Sequence, residues 1–169
     1  TLATVAAKPL TTDIPIVFAN VGDAVALGVI ESISRPGGNL TGTSDFLSEV
    51  AAKRLQLLSQ FVPGLARAAA LYSAEQLQAQ FVLDELRRAG TILNIEVRHI
   101  GVSAIADIAP AISSAASAGA QGIYVTSAPI FASNVQLVAA EARKHRLPSV
   151  GGGRTHPVAG GLFSYGNVA

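Results

Sequence analysis

The sequence predicts an α/β protein in which a Rossmann-like parallel sheet is flanked by helices, and three features carry that expectation. Short apolar runs of β-branched or small residues recur, at residues 14–19, 67–72 and 122–126. Between them lie stretches whose apolar residues repeat at helical spacing. Gly or Pro closes most of those stretches, and strands separated by helices in this way favour βαβ units with right-handed crossovers.

Taken in order, IPIVFA at residues 14–19 reads as a strand buried on both faces. Residues 20–23 turn, and residues 24–34 have helical spacing through Val25, Val29, Ile30 and Ile33 before Pro36-Gly37-Gly38. Residues 39–44 are expected to be extended. From residue 48 to 62 a stripe of Ala51, Leu55, Leu58 and Val62 predicts a helix stopped by Pro63-Gly64. RAAALY at 67–72 is the next strand. Ser73 with Gln76 fits a capping box, so a helix is expected from there to Gly90. A strand over 92–100 follows, then a helical pattern over 105–118 that Pro110 confines to its later part. GIYVT at 122–126 is a strand, 130–145 a helix and 147–150 a short strand. The glycines of 151–153 form a loop, and 162–165 a last strand.

Composition limits the function. The chain of 169 residues is half hydrophobic and 14% charged, enough apolar sequence for a packed core. Its formal charge is +1 and its Lys and Arg are dispersed, so no nucleic-acid partner is expected. Cysteine is absent, which removes disulfides and thiol chemistry. No run is long and apolar enough to span a membrane, and no export signal is visible. The chain opens at Thr1 rather than Met, as a processed or trimmed protein would.

Enzyme signatures are missing. There is no phosphate-cradling G-x-x-x-x-G-K-[ST] and no G-x-S-x-G elbow. The glycines at 151–153 lack the spacing and position of a dinucleotide loop. His99, His145 and His156 lack metal-ligand spacing, so no metal and no cofactor is expected. His145 ends a helix whose dipole suits a cation, and Asp84-Glu85 with Arg87-Arg88 reads as a solvated helix face. What remains is a set of polar residues at the carboxyl ends of strands, where open α/β sheets bind ligands. These are Asn20, Asp23 and Ser44 early in the chain, then Ser73, Thr126, Ser127 and Gly151 to Arg154. Each also has a plain structural reading, since Asp23, Ser73, Thr126 and Ser127 can cap helices. Together they suggest a small-molecule cleft without catalytic machinery.

Four segments carry a family resemblance: IPIVFANVGDAVALGVIESISRPGGNLTGTS from Ile14, KRLQLLSQFVPGLARAAALYS from Lys53, GIYVTSAPIF from Gly122 and GGLFSYG from Gly160. With them the chain resembles the substrate-binding proteins of bacterial ABC importers of the tryptophan and tyrosine type. The resemblance implies most of one lobe of a two-lobe, type I periplasmic-binding-protein fold. Residues 1–44 would be the end of the first lobe and the hinge crossing, 45–160 the second lobe, and 161–169 the start of the return crossing. The chain would then be a fragment of a longer protein.

The resemblance further implies a small polar solute, such as an amino acid, trapped between lobes and presented to a membrane permease. Such a protein is periplasmic or extracytoplasmic, in some cases lipid-anchored. By the same resemblance Asn20, Asp23, Thr43, Ser44 and the segment of Tyr165 are cleft positions. The chain departs from the family at Ala128-Pro129, where many relatives have Asp-Pro, and in its three glycines at 151–153, where relatives often carry a bulky residue. A severed lobe would expose apolar surface and form a homodimer through it. Two rival readings are the effector-binding core of a transcription regulator and a small α/β enzyme using Asp23, Ser73 or His156.

Overall fold

A computed structural model describes the chain apart from Phe46, Leu77, Gln78 and residues 167–169; at Leu2, Asn20, Asp45, Leu47, Ser48 and Glu49 it describes the backbone alone. The chain forms two compact units, Thr1–Ser48 and Glu49–Ala169.

In the first unit, helix α1 (Leu2–Ala7) and a 3₁₀ turn (Lys8–Leu10) precede strands β1 (Ile16–Gly22) and β2 (Leu40–Asp45). The strands pair in parallel, with Ile16 opposite Leu40 and Val21 opposite Ser44, and their register shifts between Phe18 and Val21. Phe18, Val21, Ala24, Val29, Ile30 and Leu40 form a small core. Asn39 pins the turn before β1, its Nδ2 donating to the carbonyls of Thr11 at 3.1 Å and Ile14 at 2.7 Å. β1 is not buried on both faces: Val17 is 78% exposed, while the next residue, Phe18, is 4% exposed in the small core. The expected turn at residues 20–23 is mostly strand and begins only at Asp23.

The helix expected over residues 24–34 does not form. After a single turn, Val29 N donates to Ala24 O and Gly28 N to Val25 O, the paired closure of a Schellman motif with Gly28 at φ +65°. The apolar spacing was real, and Val29 and Ile30 are buried. Gly28 turns the backbone left-handed before a second turn can stack.

The second unit carries a five-stranded sheet: β3 (Arg67–Ser73), β4 (Glu96–Val102), β5 (Gly122–Val125), β6 (Ser149–Gly151) and β7 (Phe163–Ser164). Their order is β4-β3-β5-β6-β7 and every pair is parallel. Helices α2 (Leu47–Phe61), α3 (Ala79–Leu93), α4 (Ile108–Ser117), α5 (Pro129–Ser133), α6 (Val135–Lys144) and α7 (Thr155–Val158) connect the strands. Ala69, Leu71, Ile123 and Val125 point to one face, where they pack with Ile108, Ile112 and Val138 of α4 and α6. Tyr124, opposite Ala70 in register, points to the other face. There Leu58 of α2 packs so close that a Cβ added at Gly122 would lie 3.2 Å from it. Gln121 fastens the start of the sheet: its Oε1 accepts from Ala66 N and Arg67 N, and its Nε2 donates to Gly64 O.

Three boundaries differ from expectation. α3 starts at Ala79, not at a Ser73 capping box; β3 runs through Ser73, and Gln76 is used elsewhere. The same helix runs past Gly90 to Leu93 and Asn94 ends it at φ +56°, so residues 92 and 93 are helix and β4 starts at Glu96. Gly90 is small for another reason: a Cβ there would lie 2.6 Å from the carbonyl oxygen of Ile95. The helix expected over 130–145 is two, divided at Asn134, whose Nδ2 donates to Ile130 O at 2.8 Å. The helix delayed by Pro110 is as expected, with a 3₁₀ turn (Ile105–Asp107) leading into α4.

Candidate functional site

In the second unit the chain leaves β3 for β4 on one side, and its later strands add on the other, so the strand order reverses between β3 and β5. The carboxyl ends of those two strands flank the crevice where doubly wound sheets take ligands. Ser73 ends β3, and Thr126 and Ser127 follow β5. The backbone N–H of Thr126 donates to Leu71 O at 3.0 Å, which holds this turn against β3. Thr126 is buried, and its hydroxyl has no hydrogen-bond partner among the described residues. Neither Thr126 nor Ser127 caps α5; the cap position is Ala128. Instead the carbonyl of Ser127 accepts from Gln76 Nε2 at 3.2 Å, across from the end of β3.

The side chain that organises this edge is Arg54 of α2. It is 3% exposed, yet its Nη1 donates to Tyr124 Oη at 3.2 Å and to Ser127 Oγ at 3.4 Å. Its Nε donates to the carbonyl of Tyr165, just after β7, and its guanidinium carbon lies 5.9 Å from the centre of the Tyr124 ring. No carboxylate pairs with it among the described residues. Burying a cation costs several kcal/mol after relaxation, roughly, so these acceptors and the ring are what keep Arg54 inside. Burial raises the Tyr124 phenol above its usual value, and the neighbouring Arg54 opposes that rise. The phenol therefore stays neutral at physiological pH and serves as an acceptor for the guanidinium.

Glycines make room for this arrangement. A Cβ added at Gly152 would stand 2.8 Å from Arg54 Nη2 and collide with Ser127 Oγ. At Gly166, where φ is +146°, it would stand 2.5 Å from the same nitrogen. The loop of 151–153 is thus tied to this site through Gly152. Arg54 escaped the sequence reading, although a signal was present. It sits three residues after Ala51 and four before Leu58, both fully buried, so a cation stood on the core stripe.

The other expected residues divide by unit. In the first, Ser44 Oγ accepts from Ala24 N at 3.0 Å, at the carboxyl ends of β1 and β2. Asp23 is buried and opens the turn at φ +51°, while Thr43 is exposed. Asn20 lies in β1 by its backbone, and its side chain is outside the described residues. In the second, Tyr165 reaches the site by its carbonyl, and the residue is 43% exposed. Arg154 is exposed at the start of α7, and no hydrogen bond or ion pair joins it to Ser73, Thr126 or Ser127.

His156 is buried, and its Nε2 lies 3.0 Å from Ser149 Oγ, the first residue of β6. It is pressed between Gly151 and Gly161, where a Cβ would collide with the ring. Burial holds its imidazole below the usual range, with Ser149 opposing. Its partner is therefore not Ser73, and no carboxylate orients it among the described residues. No group of three metal-ligating side chains occurs among the described residues either.

A doubly wound lobe whose switch point carries hydroxyls, an amide and one guanidinium offers hydrogen-bonding groups where such sheets take small molecules. Residues 1–168 match the family model for ABC transporter substrate binding proteins, and the chain belongs to that family, which is a transport family and not an enzyme family. It is similar to the tyrosine-binding protein of Clostridioides difficile (strain R20291), 30% identical over 145 residues, which cover 86% of this chain and 41% of the relative. Among solved structures it is similar to the ABC domain in complex with L-Trp from Streptococcus pneumonia. That likeness has a TM-score of 0.83 at 23% identity, over 99% of this chain and 56% of the other. A ligand-free, open structure of a substrate binding protein with adhesive properties from Clostridium difficile gives a TM-score of 0.65 at 28% identity, over 89% of this chain and 50% of the other. The chain thus spans about half the length of the relatives it matches, in keeping with roughly one lobe of a type I periplasmic-binding-protein fold.

Proposed function

We propose that this chain is part of the solute-binding component of an ABC importer, holding a small polar solute without chemical change and serving a membrane permease. The observation that carries the reading is the carboxyl edge of the second unit. There a buried Thr126 hydroxyl has no partner among the described residues, beside Ser127, Gln76 and Arg54. A group buried without a partner is costly, and a bound solute relieves that cost. The relationship to a tyrosine-binding protein supports an amino acid as the solute. Ser73, Thr126, Ser127, Arg154 and Tyr165 would serve from the second unit, and Asn20, Asp23, Thr43 and Ser44 from the first.

An extracytoplasmic location accords with the family, and by the sequence resemblance residues 1–44, 45–160 and 161–169 would be first-lobe end, second lobe and return crossing, with a hinge through residues 39–44. Hinge closure would be a population shift, so the solute must favour the closed state. Self-association through an exposed lobe face has no support among the relatives and forms no part of this proposal. The family match favours the importer over a transcription regulator. Native mass spectrometry of the purified chain, followed by calorimetric titration with an amino-acid panel, tests the reading. A stoichiometric small ligand supports it, and failure of every solute to bind, with no retained ligand, overturns it for this chain.

A further inference from the structure

A guanidinium carries five N–H donors, one on Nε and two on each terminal nitrogen. In Arg54 the Nε donor goes to the Tyr165 carbonyl, and the two on Nη1 are taken by Tyr124 Oη and Ser127 Oγ. The two donors of Nη2 have no acceptor among the described residues. What faces Nη2 instead is glycine backbone: Cβ atoms at Gly152 and Gly166 would stand 2.8 Å and 2.5 Å from it. The charge is equally unanswered, since no carboxylate pairs with Arg54 among the described residues. A buried hydroxyl with no partner among the described residues, Thr126 Oγ1, directly precedes Ser127 in the same turn. From this we infer that Arg54 is a carboxylate receptor: its Nη2 binds the carboxylate of a small organic acid, the α-carboxylate in the case of an amino acid.

The inference rests on the solute-binding reading and adds the class of ligand. The arrangement suits an anion for three reasons. The guanidinium is always charged, and its plane is fixed beforehand by Tyr124, Ser127 and the Tyr165 carbonyl, so little order is lost when a ligand arrives. Charge-assisted bonds from a desolvated guanidinium to a carboxylate are stronger than neutral ones. Finally, because residues 152 and 166 lack side chains, only backbone lies against Nη2 there, and no side chain from either position competes for its donors. The competing account makes Arg54 only a strap that ties the segment after β7 to the sheet through the Tyr165 carbonyl. A strap would use Nε and Nη1 and has no need of vacant donors on Nη2.

The test is titration of the unaltered 169-residue chain with a panel of amino acids and aromatic acids, each beside its own amide, L-tyrosine beside L-tyrosinamide among them. The expected result is an acid that binds about tenfold or more tightly than its amide. R54Q should abolish that preference, and R54K, which keeps the charge but not the fork, should retain part of it. Equal affinity of acid and amide for the unaltered chain overturns the carboxylate assignment and leaves solute binding standing. Full retention of the preference in R54Q, with an unchanged thermal midpoint, also overturns it. Should R54Q fail to fold, the acid-to-amide ratio of the unaltered chain and of R54K decides. Failure of the whole panel to bind overturns the solute-binding reading and this inference with it.

Discussion

Arg54 shows how one residue can owe its place to others far along the chain. Its acceptors lie 70 to 111 positions away, on Tyr124, Ser127 and the backbone of Tyr165. Gly152 matters through the same side chain. Gly152→Ala forces a methyl against Ser127 Oγ and to 2.8 Å from Nη2. Overpacking of this kind costs about 1–3 kcal/mol, read as a lower urea midpoint, and the same variant should weaken solute binding.

A second residue-scale outcome concerns pH. Burial depresses the pKa of His156 below the ordinary histidine value of 6.5 and does the same to His99, aided there by Arg87 and opposed by Asp84. Both therefore take up a proton more readily unfolded than folded. Their contribution to stability is whole above pH 6.5 and is lost as pH falls from there through the lower folded values. Urea midpoints should fall from pH 8 toward pH 5, and a folded His156→Asn variant should show a shallower decline.

At the scale of elements, glycines act in ways that their position in a helical pattern does not reveal. Gly90 lies inside α3, where alanine ordinarily stabilises by about 1 kcal/mol. Its missing Cβ is occupied by the Ile95 carbonyl oxygen at 2.6 Å and by Val97 Cγ2 at 2.9 Å. Backbone cannot swing away, so Gly90→Ala should lower the thermal midpoint, reversing the propensity expectation. A rise in midpoint would show that α3 can shift off β4. Gly28 has open space around it but a φ of +65°, so Gly28→Ala should cost about 1–2 kcal/mol through backbone strain alone. The apolar period of residues 24–34 was visible, whereas the Schellman closure that ends it after one turn depends on how two backbone N–H groups find their acceptors. Likewise the Ser73-x-x-Gln76 pattern was legible, but Gln76 finds the Ser127 carbonyl, which no local window contains.

For the whole molecule, the two units differ in how much core they own. The second has a five-stranded sheet with helices on both faces, and Leu71, Ile108, Ile112, Ile123 and Val138 are fully buried there. The first has a two-stranded sheet over a small cluster, an arrangement that is marginal when it stands alone. Amide exchange should therefore be slowest in β3 and β5 and markedly faster in β1 and β2. Ile112→Ala, which empties a site with no exposure, should destabilise the second unit by about 2–5 kcal/mol on denaturant unfolding. Exchange equally slow in both units would contradict this ranking.

The sequence by itself determined the fold class, the parallel strands and the polar strand ends at Ser73, Thr126 and Ser127. Periodicity, β-branched runs and Gly-Pro punctuation are local properties, written within a dozen residues. The segments around Ile14 and Gly160 also carried the family, which the match over residues 1–168 bears out. Only the tertiary structure decided which polar groups meet. It moved the start of α3, divided the helix at Asn134, and gave His156 to Ser149 rather than to Ser73. It also drew Arg54 to the switch point, because a guanidinium can be buried only where distant acceptors converge, and that convergence is a property of the assembled sheet.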